Sequence, residues 1–171
     1  YDTAGRLSQR SIGVPNYGSS SFGYQYDPSG PLGTLTYPDT GISTPVAVQY
    51  GYQNGILKSV NEGGINVWTA DVDNPAGQMT QETLGNNVVI NRTFDPVATW
   101  LTKITAGPGG GAAVQNQSYE YDAVGNVIQR QDNNLTFTEN FHYDKLNRLY
   151  YSDLTTASTT TNLQMCYDNA A

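Results

Sequence analysis

Apolar and polar residues alternate over several stretches of the chain. Leu135, Phe137, Phe141 and Tyr143 take turns with Thr136, Thr138, Asn140 and His142, at the period of two of a strand with one buried face. Residues 34–37, 46–52, 87–94 and 117–121 carry similar patterns. No long segment repeats at the helical period, and the abundance of Gly, Asn, Thr and Tyr disfavours helix. The pattern predicts an all-β chain of consecutive antiparallel hairpins in one continuous sheet.

Between the strands one template recurs, aromatic-Asp-x-x-Gly-polar-apolar. It reads Tyr1-Asp2-Thr3-Ala4-Gly5-Arg6-Leu7, then Tyr26-Asp27-Pro28-Ser29-Gly30, Tyr121-Asp122-Ala123-Val124-Gly125-Asn126-Val127 and Tyr143-Asp144-Lys145-Leu146-Asn147-Arg148-Leu149. Tyr167-Asp168-Asn169-Ala170-Ala171 opens a further copy. Weaker copies are Tyr50-Gly51-Tyr52-Gln53-Asn54-Gly55, Asp73-Asn74-Pro75-Ala76-Gly77 and Phe94-Asp95-Pro96-Val97-Ala98. Aligned on the Gly position, taken as 98 and 171 where Ala stands there, the copies are 21 to 27 residues apart. That spacing is typical of repeat architectures. It has room for two strands and two short connections but not for a helical crossover. The expected organisation is one repeat region over residues 1–171 with about eight units, both terminal copies incomplete, and inter-repeat loops at 105–116 and 155–162.

The motif explains its own turn. An Asp side chain accepts a hydrogen bond from a backbone amide two residues on, and Pro28, Pro75 and Pro96 preset the next φ. Gly at the fourth position suits a left-handed φ, as does Asn147 in its place; Ala98 suits it poorly, which predicts an altered turn there.

Tyr-Asp-x-x-Gly-Arg-Leu at residues 1–7, its relatives at 121–127 and 143–149, and Leu35-Thr36-Tyr37-Pro38-Asp39 together resemble the YD repeats of the Rhs family. That family includes bacterial polymorphic toxins, wall-associated proteins, the C subunits of insecticidal toxin complexes and the animal teneurins. The resemblance covers essentially the whole chain. It implies a twisted, spiralling sheet that forms a hollow shell, which in toxin members encloses a cytotoxic C-terminal domain until delivery. Such shells hold many more repeats, so the chain reads as a shell segment, and its start and finish inside motifs agree. The family's Asp-rich self-cleavage motif has no match here, so no catalytic residue carries over. The implied location is secreted or at the cell surface.

A net charge of −7 argues against nucleic acid, since phosphate binding needs clustered Lys and Arg. The eight basic residues are scattered, and Arg6 and Arg148 are expected to face acidic or aromatic neighbours in adjacent repeats. Thirteen Tyr, against four Phe and two Trp, predict aromatic contacts between hairpins. No apolar run approaches the ~20 residues of a membrane-spanning helix. Cys166, the single cysteine, reads as a strand residue beside the motif.

Candidate chemistry is sparse. His142, the one histidine, could meet Asp144 in a catalytic arrangement, but its slot before Tyr143-Asp144 follows from the repeat. Asp71, Asp73, Asn74 and Glu82 imitate a calcium loop, yet its sixth position requires Gly and is Ala76. Gly107-Pro108-Gly109-Gly110-Gly111 lacks the Lys-Ser/Thr and helix of a phosphate loop. Asn91, Asn116 and Asn134 open Asn-x-Ser/Thr triplets that matter only in a eukaryotic secretory setting.

The expected function is therefore non-catalytic, a segment of a shell that encloses and delivers a C-terminal effector, with no cofactor and no metal. The alternative is adhesion or carbohydrate binding through exposed Trp68 or Trp100; packing between layers is the plain reading of both. Expected partners are adjacent repeats, the enclosed effector and, through unpaired sheet edges, other copies of the chain.

Overall fold

The computed structural model describes residues 1–16, 18–39 and 44–167. These form fourteen strands and no helix: β1 (Gln9–Val14), β2 (Gly18–Tyr26), β3 (Leu32–Thr36), β4 (Ala47–Gln53), β5 (Ile56–Glu62), β6 (Ile65–Asp73), β7 (Met79–Leu84), β8 (Val88–Phe94), β9 (Leu101–Pro108), β10 (Gln115–Tyr121), β11 (Val127–Asp132), β12 (Phe137–Tyr143), β13 (Leu149–Thr155) and β14 (Thr160–Gln164). The strands are hydrogen-bonded in chain order within one sheet. The chain divides into two compact units, Tyr1–Asp71 with Glu82–Asn86, and Val72–Gln81 with the residues from Asn87 onward.

In the first unit β1 to β6 form an antiparallel meander. Its hairpin connections differ in kind. Asn54-Gly55, with φ of 52° and 77°, joins Gln53 to Ile56 as a two-residue turn with left-handed residues at both positions. Gly63-Gly64 does the same between Glu62 and Ile65. The copy of the motif at 50–55 thus lacks the Asp and turns by Asn-Gly chemistry instead.

In the second unit β8 to β14 form a like meander. Within each unit the described strands touch their sequence neighbours. Burial is accordingly shallow: among the described residues Ala70 and Ala106 are the buried apolar ones, beside the buried polar side chains of Glu82, Asp132 and Ser152. Ladder hydrogen bonds and cross-strand pairs hold such a sheet, in place of a deep core.

Three sequence expectations need correction. Of residues 105–116, only 109–114 lie outside strands, because β9 runs to Pro108 and β10 starts at Gln115. Gly107 serves close approach there, since a Cβ on it would stand 2.8 Å from the Gly111 carbonyl oxygen. Of 155–162, only 156–159 form the turn; Thr155 pairs with Thr160, as β-branched residues suit strands even when both faces are wet. Leu135 and Thr136 belong to a turn before β12. The Asp132 carboxylate accepts the amides of Asn134 and Leu135, Thr136 has φ 53°, and Leu135 is 70% exposed.

The turn after Phe94 is also altered, in a definite way. The left-handed residue is Thr99 (φ 61°), not Ala98, and its amide reaches back four residues to the Asp95 carbonyl at 3.0 Å. One added residue lets the chain avoid placing Ala98 at positive φ, but leaves a β-branched residue in a strained conformation. Thr99→Gly is expected to stabilise the protein by about 1 kcal/mol, read as an increased urea midpoint at unchanged slope.

Candidate functional site

Five turns share one construction. Asp2, Asp27, Asp122 and Asp144 each receive, on the backbone carbonyl, the amide of the residue three positions on (Gly5, Gly30, Gly125, Asn147) at 2.9–3.2 Å. Asn74 does the same with Gly77 at 2.9 Å. The side chain satisfies the rest. Oδ1 of Asp2 accepts the amides of Ala4 and Arg6 at 2.9 and 2.8 Å, and Asp122 those of Val124 and Asn126 at 3.0 and 2.9 Å. Asp144 holds Leu146 and Arg148, and neutral Asn74 holds Ala76 and Gln78, in the same way. Asp27 accepts from the amide and hydroxyl of Ser29, and Asp95 from the amides of Val97 and Ala98.

These bonds favour the ionised form, so the carboxyls sit below the ordinary value of 3.8. The largest cause is the Arg6 amide for Asp2, the Ser29 hydroxyl for Asp27 and the Ala98 amide for Asp95. It is the Asn126 side chain for Asp122 and the Arg148 amide for Asp144.

In five repeats the Tyr ahead of the turn is a latch. Its hydroxyl donates to a backbone carbonyl of the preceding repeat, two residues after that repeat's left-handed position. Tyr26 reaches Leu7 (3.0 Å), Tyr52 Leu32 (3.1 Å), Tyr121 Leu101 (2.6 Å), Tyr143 Val127 (2.9 Å) and Tyr167 Leu149 (2.5 Å). Burial raises the Tyr121 and Tyr143 phenols above their ordinary value. Phe94 has no hydroxyl to donate. At Tyr26, Tyr52, Phe94, Tyr121 and Tyr143 the register slips by one residue, a bulge that re-aims the ring.

In three repeats the residue after the left-handed position covers the next repeat's ring. Arg6 stands 4.3 Å over Tyr26 and Arg148 4.7 Å over Tyr167, each also paired with its own Asp at 2.8 Å. Trp100 fills this slot against Tyr121, with centroids 5.1 Å apart, and packs on Gly125, where a Cβ would lie 3.1 Å from the indole.

Tyr1 is exposed, before the first turn. Asp168 lies outside the described residues. His142 does not meet Asp144: its Nε2 lies 2.9 Å from Asp153 Oδ2 across the β12–β13 pair, because the register sets His142 opposite Tyr151, two residues from Asp153. Asp71 accepts from the Thr83 hydroxyl at 2.6 Å, and no group of three metal-ligating side chains occurs among the described residues. Cys166 is exposed and follows β14 instead of lying in a strand. Trp68 donates to the buried Glu82 carboxylate at 2.5 Å.

Sequence reasoning missed the Trp68–Glu82 bond and the chain from Tyr119 through Gln117 to buried Asp132. A cleft of about 500 Å³ between the turns at 74–78 and 95–99 is lined by Gln78, Thr80, Arg92, Thr93, Phe94 and Asp95.

Tyr121→Phe is expected to cost about 1 kcal/mol of unfolding free energy, as the Leu101 carbonyl loses its partner. Because the turn carboxyls are lowered in the folded chain, their stabilisation is complete above the ordinary value and is lost as pH falls below it through the lowered values. Urea midpoints across that range should show it. Asp122→Asn keeps the acceptor, as Asn74 does, and should flatten part of the slope.

No family model matches the chain. No curated protein matches it. Solved structures do. A crystal structure of TcdB2-TccC3-Cdc42 aligns over 80% of this chain at 21% identity and a TM-score of 0.67. One of TcdB2-TccC3-TEV aligns over 85% at 18% identity and 0.68. The Photorhabdus luminescens Tc holotoxin pore with the TccC3-D651A mutation aligns over 85% at 17% identity and 0.57. The chain spans 7, 8 and 9% of the length of these chains. It has the antiparallel hairpin-repeat fold of a segment of those toxin-complex chains.

Proposed function

We propose that this chain is a wall segment of a YD-repeat shell that encloses a C-terminal effector and delivers it from an exported protein. The observation that carries the reading is the ladder of tyrosine hydroxyls, each spent on the carbonyl of the repeat before it. The conspicuous side chains of the motif are thereby used to join repeats, and no reaction is assigned to them. Fold likeness to segments of toxin-complex chains, together with the resemblance of the motif to Rhs repeats, supports the same role.

The mechanism is mechanical. A continuous hydrogen-bonded sheet excludes proteases and solvent from what it surrounds, and strength comes from repetition. Electron microscopy of the intact parent protein is expected to show a hollow particle with density inside. A solid or rod-like particle would remove encapsulation and put adhesion in its place.

A further inference from the structure

The bulge beside each Tyr sets one residue against two on the next strand. The sets are Gln25 with Gly33 and Thr34, Gly51 with Lys58 and Ser59, Thr93 with Thr102 and Lys103, and Glu120 with Ile128 and Gln129. At the β12–β13 hairpin the set is His142 with Tyr150 and Tyr151. Four bulges form without a single ring, so the repeat does not require three here.

The rings adjoin. His142 and Tyr151 centroids are 4.8 Å apart, Tyr150 and Tyr151 6.3 Å, and His142 and Tyr150 6.5 Å. Tyr150 is 43% exposed and the His142 side chain 42%. The Asp153 carboxylate fixes two of them, taking His142 Nε2 on Oδ2 and the Tyr151 hydroxyl on Oδ1. Each oxygen keeps acceptor capacity. Asp153 is flanked across the strands by Asn140 and Asn162, and Tyr151 by His142 and Gln164, so no Lys or Arg sits at these positions.

Two sites in the chain show what a Tyr beside an Asp can hold. In both the Arg6–Asp2–Tyr26 and the Arg148–Asp144–Tyr167 group, a guanidinium lies on the ring and pairs with the carboxylate. Tyr150, Tyr151 and Asp153 offer the same two halves with no Arg of the described residues stacked on them. A planar guanidinium stacks and donates at once, which an ammonium does not, and a chain of net charge −7 favours a cation.

We propose that His142, Tyr150, Tyr151 and Asp153 form a docking site for an arginine side chain of a partner protein, stacked on the tyrosines and hydrogen-bonded to Asp153. The test is an NMR titration of the full chain with N-acetyl-arginine amide, following the aromatic resonances, beside N-acetyl-lysine amide and a methyl glucoside. Expected are saturable shifts confined to these rings, binding about threefold or more tighter for the arginine probe than for lysine, and a similar weakening in Asp153→Asn and Tyr150→Ala. Tyr150→Ala leaves both Asp153 bonds in place, so it decides the matter if Asp153→Asn disturbs the cluster. Absence of local shifts, equal response to lysine, unaltered binding in Tyr150→Ala, or saturation by the glucoside instead would each overturn the assignment.

Discussion

A turn that reverses a strand in so few residues leaves backbone amides with no ladder partner, and in this protein a single side-chain oxygen accepts two of them in most repeats. Everything else in the repeat is placed by that bond. It fixes the fourth residue at positive φ, which sets where the next residue points, and Arg6 and Arg148 in that place cover the following ring. It also fixes the strand end from which the Tyr leaves, so that the hydroxyl meets the carbonyl behind it. A sheet so shallowly buried depends on such bonds more than a layered domain does, since little apolar area is there to replace them.

The same slot admits different chemistry. Arg6, Trp100 and Arg148 all lie over the next Tyr, although one is an aromatic and two are cations. The slot asks for a flat group that can sit on a π face. Asn126 stays on Asp122 instead, and reaches Asn147 of the next turn at 3.2 Å. Repeats of modest mutual identity can therefore share one geometry.

The turns were legible because Asx chemistry is local: Asp, its spacing to Gly, and the Pro between them specify the reversal without reference to distant residues. The latch was half legible. A Tyr recurring where Phe would bury as well signals a use for the hydroxyl, but its acceptor is a main-chain carbonyl, which no side chain advertises. Thr99 in place of Ala98 was illegible from alignment, because the inserted residue changes the turn's own hydrogen bond. Thr155 to Thr160 looked like loop because neither face is apolar, and the partner that makes it a hairpin is the strand itself. His142 took Asp153 over the sequence-near Asp144 for the same reason: register, set by pairing, outranks proximity along the chain.

Each latch runs backward by one repeat and no farther. A unit excised or duplicated between equivalent points would find a carbonyl waiting on one side and present one on the other, with no residue elsewhere obliged to change. The protein is thus divisible at its bulges, and a gene encoding it can lengthen or shorten by whole repeats through recombination while every surviving hairpin keeps its facing. Size, in such a molecule, is set by the number of repeats and by nothing else in the sequence.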